Sequence, residues 1–253
     1  MSGTCFTSRE DRVMANSKLP DIARRLAALI CVILLFAGAG YLAYRFTHDH
    51  ERYDRRKDAI KYVVLGIANY AAGHRSLPPL AVFDNDHEPL ASWRFEMLNF
   101  VDAGRPEVLS GRWDNPANRR WNEQAHWLYC FDGDRSTNLM AVTGMGSPFE
   151  APWRDNLETL DFDTILLVEV KDSRIHWMEP GDFPLDQLLR MDEDAPAGRI
   201  FGVGPEGFHV AFWDAEVWFL SSRTPVGVLR HFVTVDGAAK HDREALLSKF
   251  RIE

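Results

Sequence analysis

An uncharged run at residues 26–44, LAALICVILLFAGAGYLAY, constrains this chain more than any other stretch in it. No Lys, Arg, Asp or Glu interrupts the run. At 1.5 Å per residue, a helix of that length is about long enough to cross a roughly 30 Å hydrocarbon core. The run is longer than the apolar core of a secretory leader. No small-x-small cleavage site comes after it before Arg45-Phe46-Thr47-His48, so it reads as an uncleaved membrane anchor. Arg24 and Arg25 flank it on one side; Arg45, Arg52, Arg55, Arg56 and Lys57 flank it on the other. Charge alone therefore does not orient it.

The stretch after the run has helical periodicity. Ile60, Val63, Val64, Ile67, Tyr70 and Ala71 fall on one stripe, with Asp58, Lys61 and Asn69 opposite. The pattern predicts a helix from about residue 22 to 72, with room for a break around 47–54. Gly73 and Pro78-Pro79 supply the stop. Beyond Pro79, turn formers recur between short apolar runs. Residues 164–170 read as a buried strand and 174–178 as a second one behind the turn Lys171-Asp172-Ser173. Residues 208–213 and 216–220 read as a hairpin around Asp214-Ala215. Short helices are expected at 92–100 and 225–235, the latter capped by Thr224, with a helical turn at 185–190. The fold class is α+β: one long helix, then a mainly antiparallel sheet.

Charge and cysteine content narrow the function classes. Residues 1–44 hold five basic side chains (Arg9, Arg12, Lys18, Arg24, Arg25) and three acidic ones (Glu10, Asp11, Asp21), which leaves 24 basic and 34 acidic residues beyond the run. So acidic a domain argues against a nucleic-acid partner, whose phosphates need a basic surface. Cys5 lies in the polar tail and Cys31 in the apolar run, leaving Cys130 by itself in the rest of the chain. A lone cysteine cannot staple its own domain, and between Tyr129 and Phe131 it reads as a small buried hydrophobe.

Six ordered segments carry a resemblance. Leu77-Pro78-Pro79 with Pro89-Leu90-Ala91-Ser92-Trp93-Arg94 comes first, then WDNPANRR at 113–120 and YCFDGD at 129–134. NLMAVTGMGSPFEAPW at 138–153, ILLVEVKDSRIHWMEPGDFPLDQLL at 165–189 and HVAFWDAEVWFLSSRTPVGVLRHFVT at 209–234 complete the series. Together they resemble a large bacterial family of unknown function with prepilin-like N-termini and a prepilin-type processing-associated C-terminal motif, over roughly residues 55–237. The resemblance implies a pseudopilin-like build, a hydrophobic helix continuing as a spine against a small sheet, without catalysis. It implies N-in, C-out orientation in a bacterial inner membrane: a cytoplasmic tail at 1–23, a transmembrane helix at 24–45, its extracytoplasmic continuation at 46–76 and an extracytoplasmic α+β domain at 77–253. Membrane lipid, further copies and other pilin-like subunits are the implied partners. An anchored solute-binding or sensor domain is the alternative.

Departures from the family pattern matter. The helix opens on Arg24-Arg25-Leu26-Ala27-Ala28, without the Gly and Glu of processed members, which implies loss of the processing step. In the C-terminal motif, Asp214 matches the Asp, Ala215 stands in place of the Gly, and Gly204 in place of the His. Loss of that Gly predicts an altered turn, since glycine alone takes positive φ without strain. Family members often carry a spine cysteine that would partner the one near Cys130; here that region reads Arg55-Arg56-Lys57.

No constellation for chemistry stands out, so no catalytic residue, cofactor-binding residue, metal ligand or cofactor is assigned. Asp132-Gly133-Asp134 resembles half a calcium loop but lacks the later Gly and Glu. His48-Asp49-His50-Glu51 holds metal-ligand types, yet on a helix His48 and His50 diverge by about 200°. Glu169, His176 and Glu179 could form an acid–base group around the expected hairpin, with no nucleophile motif to serve. Gly202-x-Gly204 lacks a helix pattern after it. Eight tryptophans raise a carbohydrate-platform reading, but Trp177 and Trp213 lie inside strand patterns, where core packing or interface burial is the expected fate.

Overall fold

The computed structural model describes residues 9–101, 108–202 and 206–252; before Glu51 it describes only the side chains of Ile30, 33–41 and Tyr44. The chain divides into two compact units, Met1–Asp54 and Arg55–Glu253. The first is helical wherever it is described. Helix α1 runs Arg9–His74 and has no break at 47–54. Every described side chain between residues 30 and 44 is exposed. Among the described residues no helix is long and apolar enough to cross a membrane, and much of the 26–44 run lies outside those whose side chains are described.

The second unit is α+β, as the turn-punctuated pattern predicts. Strands β1 (Ala81–Phe83) and β2 (Pro89–Ser92) form a small antiparallel hairpin, succeeded by α2 (Trp93–Met97) and α3 (Arg119–Asn122). Then come β3 (Leu139–Thr143), β4 (Ile165–Glu169), β5 (Phe183–Pro184), α4 (Leu185–Leu189), β6 (Gly207–Phe212) and β7 (Val217–Ser221). Helices α5 (Val226–Arg230), α6 (Val235–Ala238) and α7 (Arg243–Leu247) close the chain. The main sheet has the order β5-β3-β4-β6-β7, antiparallel except where β5 pairs with β3.

Each face of this sheet is covered. Ala59, Ile60, Val63, Val64, Ile67 and Ala71 of α1 are buried, and all but Ala71 share a cluster with Leu139, Ala141, Leu167, Ala211 and Val217. The alternate positions Met140, Val142, Val168, Phe208, Val210, Phe212, Trp218 and Leu220 pack instead with Leu185, Leu188, Val226, Leu229 and Leu247 of the short helices. This is the period-2 division of a sheet buried on both sides. Strand β4 departs from it once. Leu166 and Leu167 both join the α1-side cluster, because a bulge sets Ile165 opposite Phe212 but Leu167 opposite Ala211. The spine also comes close at Gly66, where a Cβ would lie 2.6 Å from Val101 Cγ1.

Four expectations change. Residues 174–178 form no strand: a single bridge, Ser136↔His176, is all that pairs there. Arg174 takes φ +56, and the Ser173 and His176 side chains bond nearby backbone N–H groups, so the segment cannot stay extended. Spine helix α1 ends not on Gly73 but through Arg75 at φ +58, whose N–H reaches Ala71 O. In place of a helix over 225–235 there is the shorter α5, with Pro225 rather than Thr224 at the cap; the Thr224 hydroxyl donates to Ser221 O.

The fourth concerns the β6–β7 turn. Ala215 occupies the left-handed region at φ +66 despite carrying a Cβ, so the turn keeps a glycine-type conformation without its glycine. Asp214 holds it by accepting the Glu216 N–H at 2.9 Å. Ala215→Gly is expected to stabilise the protein by about 0.5–1 kcal/mol, because relieved steric strain exceeds the added freedom of the unfolded chain. In a domain of this size that raises the melting temperature by about 1–4 °C. Urea melts with unchanged slope and a higher midpoint would show it; a lower midpoint would refute it.

Candidate functional site

The sheet's α1-facing side carries a buried polar cluster. Glu169 on β4 and His209 on β6 sit in otherwise apolar strands and are fully or almost fully buried. Glu169 Oε2 accepts from the His209 amide at 3.1 Å and lies 2.6 Å from His209 Nδ1. Glu169 Oε1 takes Arg56 Nη1 at 3.0 Å, and Arg56 Nη2 donates to Asp132 Oδ1 at 2.7 Å. Arg56 also lies over the Phe131 ring at 5.7 Å. Arg56 thus ties α1 to Asp132 and Glu169 by ion pairs. Cys130 itself is buried, and burial pushes its thiol up to about 11. A protonated, inaccessible thiol is a packing group.

A second cluster explains the Ser92-Trp93-Arg94 motif. Ser92 caps α2 and donates to Trp177 O at 2.9 Å. Arg94 is wholly buried; its Nε reaches Leu139 O at 2.9 Å and its Nη2 reaches Asp182 Oδ1 at 2.6 Å. Asp182 also accepts from the Trp93 indole and from the Ala141 N–H. Burial raises the Asp182 pKa, while Arg94, Trp93 and Ala141 act against that. All these partners donate, which is the environment of a carboxylate.

A third cluster gives Asp214 its place. Arg243 of α7 pairs with Asp163 at 3.1 Å and with Asp214 through two bonds, and its guanidinium covers Phe212 and Trp218. These three clusters tie distant elements together.

The second unit also carries an open cleft of about 570 Å³. Trp113, Asp114, Asn122, Asp134, Arg135, Ser136, Arg174, His176 and Glu179 line it. Three separate segments make its walls, and they are pinned to one another. Trp113 stacks on His176 with ring centroids 4.6 Å apart. The Trp177 N–H reaches Arg135 O at 3.0 Å, and the Thr137 N–H reaches Ile175 O at 2.8 Å.

His176 is held as a neutral ring. Its Nδ1 accepts from the Met178 N–H at 3.2 Å, so Nε2 carries the proton and donates to Asn122 O at 2.8 Å. Burial lowers its pKa, against the pull of Asn122. The three residues considered as an acid–base group therefore separate. His176 and Glu179 meet, the His176 amide donating to Glu179 Oε2 at 3.2 Å, while Glu169 belongs to the buried Arg56–His209 cluster. With both ring nitrogens engaged, His176 positions the cleft wall and is not placed to shuttle protons.

Asp132 and Asp134 likewise part: Asp132 serves Arg56 and Asn138, and Asp134 caps the Ser136 N–H. Among the described residues no three His, Cys, Asp or Glu side chains gather to hold a metal ion. His48, Asp49 and His50 lie outside the described side chains, and Gly204 outside the described residues. Trp177 is buried, its indole N–H on Gln124 O, and Trp213 is half-buried.

Sequence reasoning passed over Arg56, His209, Arg243, Trp113 and the two cleft arginines. For Glu169 and His209 a signal existed, since a charged or polar residue inside a buried-strand pattern needs a partner. Trp113 and Arg135 offered none, because their meeting depends on how loops cross. No family model, no curated protein and no solved structure matches this chain.

Proposed function

We propose that this protein is a single-pass, membrane-anchored component of structural or assembly character, pseudopilin-like in build and without catalysis. Its C-terminal α+β domain sits outside the cytoplasmic membrane of a bacterium. Its partners are lipid and further copies or other pilin-like subunits. The observation that carries this reading is the apolar run at 26–44. Ile33, Leu34, Leu35 and Phe36 expose 57–76% of their surface in the single chain. Four large apolar side chains in succession on a helix leave no polar side, and a soluble protein does not leave such a surface uncovered. A bilayer covers it. Within the second unit, the stripe on residues 59–71 against the sheet agrees with a spine that anchors a folded head.

Fractionation tests it. The full chain is expected in the membrane pellet after alkaline carbonate extraction, and deletion of residues 26–44 is expected to release it. Crosslinking at native expression should trap copies or pilin-like neighbours. Recovery in the carbonate supernatant would refute the anchor. Exclusively monomeric species after crosslinking would refute the assembly role.

A further inference from the structure

The anchoring role makes no use of the cleft between residues 113–122, 134–136 and 174–179. We infer that this cleft binds a neutral oligosaccharide, with the Trp113 indole as its apolar platform and the surrounding planar polar side chains reading hydroxyl groups. This goes beyond the anchoring role and does not depend on it.

Size comes first. A volume of about 570 Å³ falls within the roughly 300–1,000 Å³ of small-molecule clefts. Chemistry then discriminates. The lining offers Arg135 and Arg174 against Asp114, Asp134 and Glu179; with their ion-pair partners Arg112 (on Asp114) and Asp172 (on Arg174), that is three cations against four carboxylates, in a chain of net charge −8. A phosphorylated or sulfated ligand would meet net repulsion. An apolar ligand would meet one aromatic wall and seven charged or amide-and-hydroxyl side chains, which it would have to desolvate without return. A saccharide ring has an apolar C–H face for the indole and a rim of hydroxyls that both donate and accept. The arginines supply donors, and Asn122 Oδ1, Ser136 and the carboxylates supply acceptors; the Asn122 amide N–H groups are already given to Trp113 O and Asn115 O.

A peptide strand fits less well. The backbone groups of the walls already bond to one another, through Trp177 to Arg135 and Thr137 to Ile175, so they present no free edge for strand addition. The same bonds make the cleft preorganised. So does the His176 ring, fixed between the Met178 amide and Asn122 O with its face on Trp113. On the Trp113–His176 side little ordering cost remains for a ligand to meet; the exposed Arg135 and Arg174 side chains still have to be ordered. Arg174 adds a further sign: it holds φ +56 with its side chain in solvent, a strained backbone at the cleft rim.

Saturation-transfer NMR tests this on the full chain in a detergent without a sugar headgroup. The probes are chitotetraose, cellotetraose and maltotetraose, with a heparin-derived tetrasaccharide and tetra-alanine as the competing classes. At least one neutral tetrasaccharide is expected to bind at millimolar concentration or better. Trp113→Ala is expected to weaken it by about tenfold, the size of a lost aromatic contact. Because Trp113 also supports His176, the exposed pair Arg135→Gln and Arg174→Gln provides a second arm: it should weaken binding while leaving the melting temperature unchanged. Absence of binding by all three neutral probes overturns the inference. So does preference for the heparin fragment or tetra-alanine, or binding that survives both the tryptophan and the arginine substitutions.

Discussion

Asp182→Ala is expected to cost the folded protein about 3–5 kcal/mol, because it strands a fully buried guanidinium. Arg94 and Asp182 are both essentially removed from water, and their 2.6 Å contact sits among apolar side chains. The loss extends past the pair: the Trp93 indole and the Ala141 amide lose their acceptor together, and each buried donor left unmet adds its own penalty. Chemical denaturation should report a midpoint shift with little change in slope, and thermal melts a drop on the order of 10 °C. The partner substitution sharpens the argument. Arg94→Met alone should be comparably harmful, but Arg94→Met with Asp182→Leu should cost clearly less than the two singles added together. A single Asp182→Ala costing under about 1 kcal/mol would show that water reaches this cluster and that the pair contributes as a surface pair does.

Glu169→Ala is the second large effect, expected at about 2–4 kcal/mol. Glu169 is completely buried and joins three elements: the spine through Arg56, strand β6 through His209, and its own strand β4. Arg56 retains Asp132 after the change, so this loss is smaller than at Asp182, whose removal leaves Arg94 only backbone carbonyls as acceptors among the described residues. Hydrogen exchange gives a site-resolved check. The amides of residues 59–71 should lose protection along with the facing strands, since the ion pair stands at the sheet-side start of the buried stripe. Unchanged protection there, with a stability loss confined to β6 and β7, would mean that Glu169 serves the sheet alone.

Both predictions rest on residues that sequence patterns handle unevenly. The stripe Ile60, Val63, Val64, Ile67 and Ala71 was legible because a helix repeats every 3.6 residues, and its burial comes from that arithmetic. The β6–β7 hairpin was equally legible, since apolar runs on either side of Asp214-Ala215 admit few other arrangements. The conformation at Ala215 was not. Its positive φ is imposed by the hairpin it closes, and the Cβ strain is outweighed by five registered pairs behind it. Residues 174–178 misled in the opposite direction: an apolar alternation suggested a strand, but Arg174 turns the backbone and local side-chain bonds replace a ladder. The cleft lay furthest from view. Trp113, Arg135 and His176 lie more than twenty positions apart along the chain, and no local pattern says that they meet.

By itself the sequence determined the uncharged run at 26–44, the amphipathic stripe beyond it, the α+β class of the C-terminal domain, and its acidic balance. Each is a property of neighbours along the chain, where helix period, strand alternation and net charge act directly. Only the tertiary structure decided that Glu169 belongs with Arg56 and His209, that Arg94 finds Asp182, and that Trp113 and His176 frame an open cleft. Those pairings join residues tens of positions apart. Their partners are chosen by strand register and loop crossing, and by the cost of leaving a buried polar group unpaired.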